Sequence, residues 1–252
     1  MNKNLEKQCE PCDRRTFLVG AISASGLALA PGVTLFAVPA KARSFGQPAS
    51  DKIRWGMLID INKCPEGCNE CVTACHKENG IYSNGRPASD SQWIRKVLAH
   101  STKGLPKFEV PVMCQHCESP PCVEVCPTGA SMKRADGIVL VDKHTCIGCR
   151  YCMIACPYKA RSFVHEKTIG QKSFAPRGKG VVESCTFCVH RIDEGRLPAC
   201  VERCHKKAGG AMIFGDLNDE NSTISLALKN YPSKEIRADL NLGLGVRYQG
   251  IP

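Results

Sequence analysis

The amino-acid sequence predicts an α+β fold of short strands, short helices and long loops, organised by cysteines more than by a large hydrocarbon core. Three observations support this prediction. Sixteen of the 18 cysteines fall into four runs of four. Short apolar segments ending in aspartate precede two of these runs, at 53–60 and 137–142, as strands leading into loops would. Aromatic residues make up only 6% of the chain, whereas Gly (22) and Pro (16) are abundant, which is typical of a loop-rich protein.

The spacing within the runs points to iron–sulfur clusters. In the third run, CIGCRYCMIACP, three cysteines recur at three-residue steps and the fourth is followed by Pro157. Such a run binds one [4Fe–4S] cluster with three cysteines and gives the fourth to another cluster. Sixteen thiolates at such spacings imply four [4Fe–4S] clusters and the transfer of single electrons. The four runs are Cys64-Cys68-Cys71-Cys75, Cys114-Cys117-Cys122-Cys126, Cys146-Cys149-Cys152-Cys156 and Cys185-Cys188-Cys200-Cys204.

Zinc and disulfides are the competing interpretations of so many cysteines. Zinc prefers two separated CxxC pairs, often with histidine, whereas the third run places four cysteines within eleven residues. Disulfides persist in proteins that leave the cytoplasm, but a chain of this length does not need eight of them for stability. The spacing therefore favours clusters.

The N-terminus predicts export. The segment DRRTFL at residues 13–18 and the weakly apolar stretch behind it have the pattern of a twin-arginine signal. We interpret residues 1–42 as this signal peptide, with cleavage after Ala40 or Ala42, and with retention as an anchor as the alternative. Because this route carries folded proteins, clusters can be inserted before the protein reaches the periplasmic side of the cytoplasmic membrane. Cys9 and Cys12 precede the arginines and are interpreted as non-ligands.

The formal charge of +10 does not indicate nucleic-acid binding. Without residues 1–42, 29 basic and 21 acidic residues leave a charge of +8. Each oxidised [4Fe–4S] core with four thiolates carries about −2, so four of them bring the protein close to neutrality. We interpret the basic residues as compensation for buried anionic clusters. Nucleic acid is not expected as a partner, since no basic run with interleaved aromatics occurs.

Few regular elements are expected between the runs. Asp136-Gly137 is predicted to form the turn of a hairpin in front of the third run. Residues 79–109 lack cysteine and are interpreted as a polar insertion. After residues 1–42, no segment is long and apolar enough to span a membrane.

Residues 216–252 form a C-terminal tail. A helix is expected from Thr223 to Lys229, capped by Asn221-Ser222. The rest of the tail contains too few apolar residues to fold alone. We therefore expect it to lie on the surface of this chain or on a partner.

Run order and spacing from Ile53 to Asp219 resemble the four-cluster ferredoxin-like subunits of membrane-associated respiratory complexes. That family includes the β subunits of dimethyl sulfoxide, nitrate, polysulfide and tetrathionate reductases and the nitrite-reductase-associated ferredoxin. The most specific matching segments are CQHCESPPC at 114–122 and CTFCVHR at 185–191.

This resemblance implies two interlocked modules, each like a bacterial ferredoxin with two [4Fe–4S] clusters. Residues 43–78 and 180–215 would form one half, and residues 110–165 the other. It also implies which thiols share a cluster. The implied ligand sets are Cys64, Cys68, Cys71 and Cys204; Cys75, Cys185, Cys188 and Cys200; Cys126, Cys146, Cys149 and Cys152; and Cys114, Cys117, Cys122 and Cys156.

The half built from the first and fourth runs departs from the family pattern. Three residues rather than two separate Cys64 from Cys68, which makes Cys64 the least certain ligand. His76 and His205 follow the last cysteines of these runs, where the other half has Pro127 and Pro157. Both histidines are either tolerated substitutions or donors that raise the potential of a nearby cluster.

The resemblance implies an electron-transfer subunit rather than an enzyme, and no catalytic residue is assigned. Every set is all-cysteine, so no position is open to a substrate. His116 and His190 lie inside the motifs and are interpreted as hydrogen-bond donors near the clusters. A carrier that delivers clusters to other proteins is the remaining alternative, but interlocked halves would release them slowly.

Within the family, the export signal, the widened first run and the tail VRYQGI are most similar to the periplasmic ferredoxin-like subunits of sulfite-reduction-associated membrane complexes. This similarity implies a quinone-interacting integral membrane subunit and a multihaem cytochrome c as partners in dissimilatory sulfur metabolism. The alternative is the β subunit of a molybdopterin-dependent reductase, or an electron-transfer ferredoxin linked to nitrite, tetrathionate or hydrogen metabolism.

Overall fold

Short strands and short helices alternate along the chain in a computed structural model that describes residues 47–99 and 108–251. This mixture confirms the predicted α+β class. The described residues fall within one compact unit, and no helix among them is long and apolar enough to cross a membrane. The predictions for the signal peptide at 1–42, its cleavage sites, Cys9 and Cys12 lie outside the described residues.

The strands are β1 (Trp55–Asp60), β2 (Ile94–Ala99), β3 (Phe108–Met113), β4 (Ser131–Lys133), β5 (Val139–Val141), β6 (Arg161–Phe163), β7 (Val182–Ser184), β8 (Met212–Asp216) and β9 (Val246–Gln249). The α-helices are α1 (Glu70–Asn79), α2 (Pro121–Glu124), α3 (Tyr151–Ala155), α4 (Val189–Ile192), α5 (Ala199–Lys207) and α6 (Thr223–Asn230). Single 3₁₀ turns occur at Ile61–Lys63 and Ala238–Leu240.

β1 is the central strand of a three-stranded sheet, antiparallel to β8 and parallel to β9. Met57 lies opposite Phe214 on one side and Val246 on the other. Met57, Leu58 and Ile59 are almost completely buried, so both faces of the strand are covered. The strand expected at 53–60 is therefore present and begins two residues later, at Trp55.

Two-stranded antiparallel ladders flank the cysteine runs. β4 follows the second run and pairs with β5, which leads into the third run. β6 follows the third run and pairs with β7, which leads into the fourth. The predicted turn at Asp136-Gly137 lies between β4 and β5, with Gly137 at a φ of 83° that favours glycine. Buried Asp136 there accepts a hydrogen bond from Trp55 Nε1 at 3.1 Å, which ties the turn to β1.

The helices that carry cysteines pack in pairs. α1, with Cys71 and Cys75, lies against α5, with Cys200 and Cys204. α2, from the second run, lies against α3, from the third run. The first run is thus placed beside the fourth and the second beside the third.

The region 79–109 is more than a polar insertion. It contains β2 and the first residues of β3, which pair with each other, and it buries Trp93 and Ile94 almost completely. Trp93 precedes β2 and Ile94 begins it, while the other residues of the strand are half-exposed or exposed, so the apolar signal is too short to stand out in the sequence.

The expectation that the tail lies on the surface or on a partner is wrong for its last strand. β9 forms the edge of the central sheet, and Leu244, Val246 and Tyr248 are buried. An added edge strand needs only a few apolar side chains, because its partner strand supplies the hydrogen bonds. The predicted helix is confirmed as α6, with Ser222 Oγ accepting a hydrogen bond from Ser225 N at 3.2 Å.

Replacement of Tyr248 should show that the tail is part of the core. Its fully buried hydroxyl donates to Pro111 O at 3.1 Å and accepts from Gln115 Nε2 at 3.3 Å. Tyr248→Ala should cost about 3–5 kcal/mol and Tyr248→Phe about 1 kcal/mol, compared by denaturation midpoints under anaerobic conditions. Tyr231→Ala is the control, because Tyr231 is exposed. Equal midpoints for Tyr248→Ala and Tyr231→Ala would show that the tail is not part of the core.

Candidate metal centres

All sixteen cysteines of the four runs are free thiols. Ten are buried, five are partly exposed and one, Cys149, is exposed. No three His, Cys, Asp or Glu side chains within residues 47–99 and 108–251 converge on a point where one metal ion would bind. The thiols instead form groups of four, each drawn from two runs.

Two groups surround small cavities in the part of the fold built from the second and third runs. One cavity is lined by four thiols, three from the second run and one from the third, together with Arg161 and Val139. The neighbouring cavity is lined by one thiol of the second run and three of the third. We call these the third group (Cys114, Cys117, Cys122, Cys156) and the fourth group (Cys126, Cys146, Cys149, Cys152).

The remaining thiols are grouped by their mutual electrostatic influence. Burial raises the pKa of Cys71 to about 11, and the nearby Cys64 and Cys204 thiols add to the rise, while Cys68 also acts on Cys204. Burial raises the pKa of Cys75, and three thiols of the fourth run add to it. These are the first group (Cys64, Cys68, Cys71, Cys204) and the second group (Cys75, Cys185, Cys188, Cys200).

The four groups follow one another in a row. Cys71 of the first group acts electrostatically on Cys200 of the second, and Cys185 of the second acts on Cys114 of the third. The third and fourth groups meet at Arg161, which interacts with thiols of both. These four groups are the same sets of cysteines that the family resemblance implies. That each group binds one cluster remains a prediction.

The donor sets suit iron–sulfur clusters. Thiolates are soft ligands that favour iron–sulfur clusters, zinc or Cu(I). Burial raises the pKa of Cys185 and of Cys117 to about 12, so without a metal these buried thiols would hold their protons. A cluster would replace the protons and hold the thiolates in place.

Nitrogen atoms of three side chains donate hydrogen bonds to cysteine sulfurs. Arg161 Nη2 lies 3.0 Å from Cys122 Sγ, and Lys96 Nζ lies 3.4 Å from Cys64 Sγ. Asn79 Nδ2 lies 3.6 Å from Cys75 Sγ. None of the three donors is evident in the sequence, because the sequence does not show which way β2, β6 or α1 turns its side chains.

Backbone amides supply further donors, each at the start of a strand or a turn beside a run. They favour the thiolate form and would raise the potential of a cluster. The contacts are Ser131 N to Cys126 Sγ at 3.3 Å, Ala160 N to Cys156 Sγ at 3.5 Å, Val182 N to Cys146 Sγ at 3.5 Å and Phe187 N to Cys185 Sγ at 3.4 Å.

The histidines differ in their surroundings. His205 is exposed, whereas His76 has a buried Nε2 atom without a hydrogen-bond partner in the described residues, and burial together with Arg177 lowers the pKa of His76. That either histidine donates a hydrogen bond to a cluster therefore remains a prediction. The geometry favours His76 for this role. His190 Nε2 lies 2.9 Å from Glu78 Oε1, so the expectation that His190 donates to a cluster is not supported.

His116 is fully buried where the second and third groups meet. Its ring stacks on Phe187 at 3.7 Å between centroids, and its Nδ1 accepts a hydrogen bond from Val139 N at 3.0 Å. Burial lowers the pKa of His116 to about 3, so the ring is neutral. With Nδ1 accepting, the proton is on Nε2, which is buried and has no partner in the part of the chain that the structure describes.

The fourth group lies next to an exposed apolar surface. Cys149 is exposed, and Ile147, Tyr151 and Ile154 around it are 68%, 58% and 82% exposed. We call these three side chains the α3 patch. Exposed apolar side chains grouped in this way are typical of a protein interaction site.

Comparisons with known proteins agree with this geometry. Residues 107–217 match the model of the family described as "4Fe-4S dicluster domain". The chain is 41% identical to the "Hdr-like menaquinol oxidoreductase iron-sulfur subunit 1" of Archaeoglobus fulgidus, over 93% of this chain and 96% of the relative. It is 36% identical to Protein NrfC of Escherichia coli, over 95% of both chains. A tetrathionate reductase subunit of Salmonella typhimurium is 40% identical over 72% of this chain and 66% of the relative.

Paired cysteine substitutions test whether thiols are shared between runs. Cys126 and Cys149 belong to different runs but to one group, whereas Cys114 and Cys126 belong to one run but to two groups. The double variant Cys126→Ala/Cys149→Ala should therefore keep three clusters, and Cys114→Ala/Cys126→Ala should keep two. Iron analysis and spin integration of the reduced protein give the counts. The reverse order would mean that each run holds its own cluster.

Proposed function

Because the chain belongs to the [4Fe–4S] dicluster ferredoxin-like subunits of respiratory oxidoreductases, we propose that its four groups of thiols hold four [4Fe–4S] clusters. Members of this family are iron–sulfur electron-transfer subunits and not catalytic ones. When bound, each cluster supplies the uptake and release of one electron. The observation that carries the proposal is the division of sixteen free thiols into four complete groups, each shared between two runs.

The protein would hold its clusters at fixed separations and keep water away from most of them. Cys71 and Cys75, four residues apart on α1, belong to neighbouring groups, so one turn of helix sets the distance between these two groups. The buried thiols of the second group are shielded from solvent. Because the groups form a row, one end of that row lies at the exposed Cys149.

We propose that this chain joins a quinone-interacting integral membrane subunit to a multihaem cytochrome c on the periplasmic side of the membrane, in dissimilatory sulfur metabolism. The name and nearly full-length match of the Archaeoglobus fulgidus relative, a menaquinol oxidoreductase subunit, support the quinone partner. The twin-arginine pattern at residues 13–18 supports the periplasmic location.

The α3 patch would be the docking surface for the membrane subunit. It surrounds the one exposed thiol among the sixteen, so a partner that covers it lies next to the fourth group. The same contact would remove Ile147 and Ile154 from water, which is favourable, and would shield the exposed end of the row.

A role as the β subunit of a molybdopterin-dependent reductase is the second candidate. The 40% identity to the tetrathionate reductase subunit favours it, although that match covers less of either chain. Composition of the native complex separates the two candidates. Covalently bound haem together with a membrane subunit would favour the first, and molybdopterin without haem the second.

Electron entry at the α3 patch is testable in membranes that contain the native complex. A menaquinol analogue should reduce the iron–sulfur signals of the unmodified complex, and Ile154→Glu should reduce the rate at least tenfold because a charge is placed in the contact. Dithionite should still reduce the clusters of this variant. Leu226→Glu is the matched control, since Leu226 is an exposed apolar residue on α6. Equal rates for the two variants would exclude the patch as the docking surface.

A further inference from the structure

Arg161 is a buried cation with an unusual set of neighbours. It is the first residue of β6, five residues after Cys156, and only 5% exposed. Arginine stays charged when buried, and Cys122 Sγ lies 3.0 Å from the Nη2 atom of Arg161. Its charge is therefore balanced by cysteines.

The contacts of Arg161 reach two groups of thiols. Nη2 donates to Cys122 Sγ of the third group at 3.0 Å, and the guanidinium also interacts with the Cys152 thiol of the fourth group. Arg161 lines the cavity of the third group. Its Nη1 atom is buried and has no hydrogen-bond partner within the described residues. One cation thus lies between the two groups of thiols, and its Nη1 atom is available as a further hydrogen-bond donor.

The half built from the first and fourth runs has no equivalent arrangement among the described residues. Lys96 donates to Cys64 and acts electrostatically on Cys71, both of the first group, and its Nζ is also 3.4 Å from Glu109, which offsets its charge. The side-chain donor at Cys75 of the second group is the neutral Asn79. A fully charged donor shared by two groups is a feature of Arg161.

We propose that Arg161 is a positioning residue shared by the third and fourth clusters, and that its charge raises the reduction potentials of both. This inference rests on the proposed function, because it requires clusters in both groups. Reduction adds a negative charge, which a cation a few ångströms away stabilises in a buried site. Hydrogen bonds to cysteine sulfurs raise cluster potentials in the same sense. Arginine suits this position because it stays charged when buried and carries several donors in a fixed plane.

Redox titration followed by electron paramagnetic resonance of the anaerobically purified protein tests the proposal. Arg161→Gln should lower the reduction constants of two of the four clusters at least tenfold each, which is 59 mV for one electron. Arg161→Lys keeps the charge and should restore part of the shift. Arg196→Gln removes the same charge from an exposed site paired with Glu194 and should move no cluster. If Arg161→Gln binds its full iron and leaves all four potentials unchanged, or moves all four alike, the inference is wrong.

A second measurement does not depend on Arg161→Gln, in case that variant does not assemble. In protein labelled with ¹⁵N-arginine, pulsed resonance of the reduced clusters should show weak coupling to a guanidinium nitrogen, and this coupling should be absent from Arg161→Lys. Absence of this nitrogen coupling from the unmodified protein would overturn the inference. Iron and sulfide analysis of the unmodified protein separates the two failures: fewer than four clusters contradicts the proposed function, whereas four clusters with no effect of Arg161 contradicts only this inference.

Discussion

The four-residue spacing of paired cysteines is the constraint on which the rest of the structure depends. Residues i and i+4 of a helix project to the same side, about 5–6 Å apart at Cβ, as in α1 and α5, whereas Cys126 and Cys156 lie just past the ends of α2 and α3. In four of the five pairs with this spacing one thiol belongs to one group and the second to the next group in the same half, whereas Cys64 and Cys68 both belong to the first group. Packing of α1 on α5 and of α2 on α3 then brings two pairs together and completes two groups in each half. The four pairs are Cys71/Cys75, Cys122/Cys126, Cys152/Cys156 and Cys200/Cys204.

Burying so many thiolates requires compensation, and the structure provides it mostly over short distances. The basic composition suggested cations near the clusters, and this interpretation holds at Lys96 and Arg161, whose nitrogens reach cysteine sulfurs. Other basic residues form ion pairs with carboxylates, as Arg177 does with Glu183. Backbone amides and the neutral Asn79 side chain supply further contacts to sulfur, and they cost no desolvation of a full charge. The stabilisation of the buried thiolates therefore depends more on the position of a few hydrogen-bond donors than on the total charge of the chain.

Local patterns in the sequence predicted local structure well. The cysteine spacing, the turn at Asp136-Gly137 and the helix capped by Ser222 depend on residues a few positions apart, and the structure contains each arrangement. The features that sequence reasoning missed depend on distant contacts. Tyr248 pairs with Ile59 across 189 positions, and Arg161 reaches Cys122 from 39 positions away. Neither residue lies in a pattern that indicates its partner, since edge-strand pairing and side-chain direction arise only from the assembled fold.

The two halves differ in the burial of their thiols, and this difference changes the interpretation of the sequence asymmetry between them. In the sequence, the widened loop at Cys64 and the histidines at 76 and 205 set apart the half built from the first and fourth runs. Yet that half carries the central sheet, and the thiols of its second group are all buried. The other half has the exposed Cys149 and the shared cation Arg161. A group of thiols at the surface is accessible to a partner and to solvent. The residues around it must therefore determine both the contact with the partner and the charge near the thiols. The proposed docking surface therefore lies on the half that keeps the usual prolines, Pro127 and Pro157.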